Sequence, residues 1–302
     1  MINIVPKEAE AHLDWPGLLA ALEAGHRLPR AEIADLFLNR GADTVLDRAA
    51  WIDGLGALVK VATVHPGNAA LGKPTINGAV TLYDDVTGEL TALVDFHLVT
   101  KWKTAGDSLL SATRLARKDA KEILLVGAGT VARSMVEAYS SAFPGARFTV
   151  WSRNRSSALA MGLPVADDLE TAVRKADIIC TATMATEPLI RGDWLQPGQH
   201  LDLIGAFKAG MREVDDTAMR RARLFVDSRA TTLHHIGELI EPLASGAITE
   251  SDVIADFYDD PALYARRSDD EITIAKNGGG AHLDLMTATY IANRWRNRSQ
   301  AE

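Results

Sequence analysis

The segment "LLVGAGTVARSM" places Gly127, Gly129 and Ala132 in a G-x-G-x-x-A pattern. The first glycine permits a tight turn. The second lets backbone N–H groups approach a pyrophosphate, and the small third residue lets helix and strand pack closely. The pattern follows the apolar run "EILLV" and opens a helix-like stretch with Val131, Met135, Val136 and Tyr139 on one face. This context points to a phosphate at a helix N-terminus, held by Gly127, Ala128, Gly129, Thr130 and Val131. The next strand-like run ends in "VWSRNRSS". Sites for NAD usually carry Asp or Glu there, bound to the ribose 2′-hydroxyl. Here Ser152, Arg153, Asn154 and Arg155 stand instead. Arginines and small polar groups suit a 2′-phosphate, which a carboxylate would repel, so the expected cofactor is NADP(H) rather than NAD(H).

Two further positions could bind an anion. Upstream, "VTKWKTAGDS" sets Lys101 and Lys103 on either side of Trp102. If a helix begins near Lys101, the two lysines lie about 200° apart on its wheel. Lys103 is then expected to face the substrate and Lys101 to face away. Lys60 sits in "ALVKVATVH", an otherwise apolar run. A lysine pointing inward from such a strand needs an anion or a hydrogen-bonding partner.

The elements that must position these residues fall into two styles. Residues 1–40 read as a short strand followed by helices, "GLLAALEAGH" and "RAEIADLFLNR". Residues 44–100 then give short β-like runs, "DTVLDRAAWI", "ALVKVATVH", "GAVTLYDD" and "LTALVDFHLV", separated in part by turn residues. They predict a mostly antiparallel sheet, and residues 104–118 predict one helix. From residue 121 strand and helix alternate, and the strands are apolar throughout, as in a sheet buried on both faces. The expected fold is therefore α/β: a Rossmann-type doubly wound parallel sheet with a second α+β domain. The expected boundaries are 1–118 and 119–280, with the terminal helix 281–302 returning to the first domain.

Composition narrows the partners. The 302 residues carry a formal net charge of −8, which argues against nucleic acid or an anionic membrane as the main partner. The single cysteine, Cys180, lies in an apolar run and allows no internal disulfide, in keeping with a cytoplasmic location. There is no apolar signal core near the N-terminus and no run of about 20 apolar residues. His234 and His235 are adjacent, but no further ligand spacing supports a metal site.

Taken together, "VKVATVHPGN", "TLYDDVTGELTAL", "TKWKTAGDSLLSATRLAR", "ILLVGAGTVA", "TATMATEPLI", "PGQHLDLIGAFKAGMREVD", "IGELI" and "GGGAHLDLMTA" occur in one order along the chain. In these segments it resembles the ornithine cyclodeaminase/mu-crystallin family, which includes cyclodeaminases, ketimine reductases and alanine dehydrogenases. The resemblance implies a homodimer formed through the non-nucleotide domain. It implies that Lys60 reaches the substrate carboxylate or reacting nitrogen. Lys103 stands where most members carry a carboxylate-binding arginine, and Arg48 matches a second such arginine. Glu238 falls where many members carry an acid/base aspartate. Thr181, Ala182, Thr183 and Gly205 are implied on the cofactor. Lysine for arginine replaces a planar two-pronged donor with a point charge. The implied activity is NADP(H)-dependent reduction of a small imino acid, foremost a cyclic ketimine carboxylate. A cyclodeaminase that retains its dinucleotide, or a nucleotide-binding homologue without catalysis, are the alternatives.

Overall fold

A computed structural model describes residues 2–298. The chain divides into two compact units: residues up to Lys103 together with those from Gly280 onward, and Thr104–Gly279. The division falls inside a helix, where the sequence reading set it after residue 118.

The first unit opens with β1 (Asn3–Val5) and α1 (Trp15–His26), whose first turn is capped by the Asp14 side chain accepting from Gly17 N at 2.7 Å. There follow β2 (Glu32–Arg40), β3 (Asp43–Ile52), β4 (Gly56–Val64), β5 (Ile76–Tyr83) and β6 (Leu90–Val94). The sheet order is β1-β6-β5-β4-β3-β2, antiparallel except for the parallel β1·β6 pair.

Two expectations are corrected here. Residues 32–40 form a strand, not a helix. They pair with β3 from Glu32↔Trp51 to Arg40↔Asp43, around a tip at Gly41 and Ala42 where Gly41 takes φ +59°. The consecutive Leu36, Phe37 and Leu38 follow no clean period, so long-range pairing decides the outcome. Residues 96–99 leave the sheet to begin α2 (Phe96–Leu115), where Asp95 accepts from Leu98 N at 2.8 Å. That cap overrides the apolar look of "DFHLV".

The second unit takes the rest of α2 and then β7 (Glu122–Val126), α3 (Thr130–Ala142), β8 (Arg147–Trp151), α4 (Arg155–Leu159), α5 (Leu169–Lys175), β9 (Ile178–Thr181) and β10 (His200–Leu203). It continues with α6 (Asp216–Arg221), β11 (Arg223–Val226), α7 (Arg229–Thr232), α8 (Gly237–Ala244), β12 (Val253–Ala255) and β13 (Thr273–Lys276). All its strands are parallel, in the order β12-β11-β13-β10-β9-β7-β8. The chain steps from β7 to β8 on one side, then to β9 on the other. This reversal is the switch point at which such sheets bind ligands, outside the carboxyl ends of the strands. Leu124, Val126, Ile179, Leu201, Leu203 and Ile274 belong to its apolar core.

The last helix, α9 (Ala281–Arg296), packs on α1 and on β3 and β4 of the first unit. Tyr290 joins the two ends of the chain: its hydroxyl donates to Asp14 O at 2.9 Å and accepts from Asp14 N at 3.0 Å. Among the described residues no helix is long and apolar enough to cross a membrane.

Candidate functional site

Strand register assembles a cluster of charged residues in the first unit. Asp35 of β2 lies opposite Arg48 of β3, and Arg48 lies opposite Lys60 of β4. Residues paired in one row share a face, and α9 covers this face with Asp284 in its first turn. Lys60 Nζ donates to Asp284 Oδ1 at 2.8 Å and stands 4.9 Å from the Phe96 ring centroid. Lys103 Nζ is 3.8 Å from the same oxygen, and Arg48 Nη1 is 3.7 Å from Oδ2. Arg48 also makes a two-pronged contact with Asp35, at 2.7 and 3.2 Å.

Three cations from three elements thus converge on one buried carboxylate. Burial alone would push the Asp284 carboxyl up, but Lys103, Lys60 and Arg48 together hold it below its ordinary value. Lys60 moves the other way. Burial, helped by Lys103 and Arg48, outweighs Asp284 and brings it down to about 8. Beside them, burial and the neighbouring His26 and Lys103 hold His282 well below the usual histidine range, so its ring stays uncharged.

The two lysines of α2 diverge as their spacing requires. Lys101 Nζ pairs with Glu10 at 2.9 Å, an acceptor shared with Trp102 Nε1 at 2.9 Å. Lys103 is buried beside Asp284. Trp102 stacks on Trp15, centroids 4.0 Å apart, which fixes this face of α2 against α1.

The second unit gathers the glycine loop. Gly127 takes φ +115°, and a Cβ there would stand 2.4 Å from Ala182 O, so only glycine fits between the ends of β7 and β9. Gly129 is the N-cap of α3 and supplies no side-chain cap, which leaves the first amides of Thr130, Val131 and Ala132 for another acceptor. This cradle, with Ala128 between the glycines, fits a pyrophosphate. At the end of β8 the four residues have different surroundings. Ser152 Oγ accepts from Asn154 N at 3.3 Å, Asn154 caps α4 by accepting from Ser157 N, and Arg155 pairs with Asp167. Arg153 is exposed.

Thr181, Thr183 and Gly205 are tied together by a residue absent from the sequence expectation. Glu213 accepts from Thr181 Oγ1 at 2.7 Å, Thr183 N at 2.9 Å, Thr183 Oγ1 at 2.7 Å and Gly205 N at 2.8 Å. A Cβ on Gly205 would fall 2.2 Å from Thr183 O. Glu238, expected as an acid/base group, is fully buried at the start of α8. Its oxygens accept the backbone amides of Glu213 at 2.8 Å and Val214 at 3.0 Å. Burial and the charge of Glu213 push its carboxyl up to about 7 against the pull of Lys276. Its partners lie within the second unit, whereas Arg48, Lys60, Lys103 and Asp284 meet in the first.

A doubly wound unit with a glycine cradle and a sheet unit in which three cations meet a buried carboxylate define a two-unit protein of the nucleotide-fold class. The chain belongs to the ornithine cyclodeaminase/mu-crystallin family, whose model matches residues 52–299. It is 52% identical over 297 residues to a Delta(1)-pyrroline-2-carboxylate reductase of Paracoccus denitrificans, covering 94% of each chain. It is 32% identical to the mouse ketimine reductase mu-crystallin, over 78% of this chain and 75% of that one. In three dimensions it resembles the Thermococcus litoralis Delta(1)-pyrroline-2-carboxylate reductase solved with NADH and L-proline. That match has a TM-score of 0.88 at 24% identity and covers 99% and 98% of the two chains.

Proposed function

We propose that this chain is an NADPH-dependent reductase of cyclic ketimine carboxylates, with Δ1-pyrroline-2-carboxylate as the foremost substrate. The observation that carries the reading is the convergence of Lys60, Lys103 and Arg48 on Asp284, in a chain 52% identical to a reductase of that imine. Two buried lysines and a half-buried arginine suit the carboxylate of a small planar imino acid, which must lose its water shell on binding. In this reading Lys103 and Arg48 hold the substrate carboxylate. Lys60, brought down to about 8, is mostly charged at neutral pH and gives up its proton more readily than a surface lysine. It is the proposed donor to the imine nitrogen. NADPH, when bound, supplies the hydride for the imine carbon. Imine, hydride and proton together give the cyclic amine. Glu238 is assigned an orienting role, because both of its oxygens are engaged by backbone amides.

The test is to mix purified protein with NADPH and Δ1-pyrroline-2-carboxylate. Loss of the near-ultraviolet absorbance of NADPH, matched by proline formed, is the expected result. Ornithine converted to proline and ammonia with no net change in dinucleotide would favour the cyclodeaminase instead.

The preference for NADPH rests on Arg153 and its polar neighbours at the end of β8. The assembly proposed is a homodimer through the first unit. Its support is the edge strand β2, which exposes Leu36 at 55%, Phe37 at 58% and Leu38 at 58%. Adjacent exposed apolar residues on a sheet edge invite a partner. Light scattering that gives a monomer mass at micromolar concentration would overturn the dimer.

A further inference from the structure

We propose that Asp284 is a positioning residue of the substrate site, holding Lys60 extended and charged for its part in the reaction. The inference rests on the imino-acid reading above and adds to it a residue that touches the cations rather than the substrate.

The geometry argues for this in two ways. First, Arg48 and Lys60 are directly opposed on neighbouring strands, where like charges repel. Lys103 approaches from α2 as a third cation. A carboxylate between them turns a repulsive set into a cohesive one. Second, Asp284 is rigidly placed. It lies in the first turn of α9, fully buried, and that helix packs along the strands that carry Arg48 and Lys60. One oxygen serves both lysines, and the other faces Arg48.

The groups around Lys60 set the sign of the effect. Arg48 on β3, Lys103 on α2 and burial itself favour loss of its proton, and Asp284 on α9 opposes them. Asp35 on β2 is engaged with Arg48, while His282 on α9 stays uncharged next to His26 of α1. Removing the Asp284 charge leaves Lys60 among cations alone, so it loses its proton at lower pH.

The experiment compares pH profiles of kcat/KM for NADPH-dependent reduction of Δ1-pyrroline-2-carboxylate by wild type, Asp284→Asn and Asp284→Glu. In Asp284→Asn the alkaline limb should move down by at least about one pH unit, so that its deficit grows at least about sixfold between pH of about 6.5 and about 8.5. NADPH affinity should not change. Asp284→Glu, which keeps the charge, should return the limb close to its wild-type position. A merely structural role would lower activity evenly across pH. Coincident limbs in wild type and Asp284→Asn overturn the proposal. If the Asn chain does not fold, a limb in Asp284→Glu displaced by a full pH unit overturns it, and an undisplaced limb supports it. A wild type inactive on cyclic ketimines defeats the functional reading itself. An active wild type with an unmoved limb defeats only the role of Asp284.

Discussion

In the first unit a buried carboxylate, Asp284, is surrounded by the side-chain cations Arg48, Lys60 and Lys103. In the second, the buried carboxylates Glu213 and Glu238 take mainly backbone amides and threonine hydroxyls, with Lys276 as the nearby cation. The contrast separates binding from bracing. Side-chain ammonium and guanidinium groups can turn from one anion towards another that arrives. Backbone amides of a packed loop cannot, so a carboxylate bound to them fixes the chain. The titration follows the same division. Asp284 is held below its ordinary value by its cations, whereas Glu238, next to another carboxylate, is pushed up to about 7.

The sharpest way to break this comparison is Lys60→Met. If Lys60 is the proton donor proposed above, its removal costs roughly 10²- to 10⁴-fold, and kcat/KM should fall by that order while NADPH binding, followed by fluorescence, is retained. The wild type should also lose activity as pH rises through about 8, because Lys60 then gives up its charge. An alkaline profile that is flat past that value would remove Lys60 from the mechanism. Lys103→Ala is expected to lose about ten- to a hundredfold in kcat/KM, the effect of one charge-assisted hydrogen bond. Lys101→Ala, whose amine pairs with Glu10, should leave steady-state kinetics unaltered.

On the bracing side, Glu238→Gln should destabilise the fold by about 1–3 kcal/mol, because an amide NH₂ cannot accept from a backbone N–H. The sign of its pH dependence is fixed by the upward shift. Between its ordinary 4.5 and about 7 the native carboxyl keeps a proton that the unfolded chain has lost, so wild-type stability falls as pH rises through that window. Urea unfolding should therefore find a larger gap between wild type and variant near the acid end than above neutrality. A gap that widens with pH would contradict the bracing role. Cofactor choice is expected to be a modest effect: dissociation constants should favour NADPH over NADH by at least about tenfold, or 1.4 kcal/mol. Arg153→Ala should erase most of that difference, and equal constants in the wild type would refute it.

Much of the second unit was legible because its signals are local. The glycine pattern, the one-sided helix at Thr130–Ala142 and the apolar strands each declare themselves within a few residues. The short β12 escaped, since three residues carry no period. In the first unit β2 was misread because its pairing with β3, not its own composition, makes it a strand. The site divides similarly. Lys60 and Lys103 drew attention as cations in apolar or patterned surroundings, and Arg48 through the family resemblance alone. Asp284 did not, because one aspartate near a helix start reads as an ordinary first-turn acid. Only the return of α9 to β3 and β4 gives it its meaning. Glu213 was missed for the same reason: its partners lie at the end of β9 and on the loops after β9 and β10.

The row Asp35–Arg48–Lys60 also bears on how this chain can change length. Side chains alternate faces along a strand, so one residue inserted between Arg48 and the β3–β4 turn must either bulge or carry Arg48 to the opposite side of the sheet. The tip at Gly41–Ala42 has no such constraint, since residues added there lie beyond the last pair, Arg40↔Asp43. Insertions and deletions among functional descendants of this sequence should therefore collect at such turns and avoid the paired stretches from Arg48 to Ile52 and from Gly56 to Lys60. The pairing of those two cations across the strands would then be inherited as strictly as their identities.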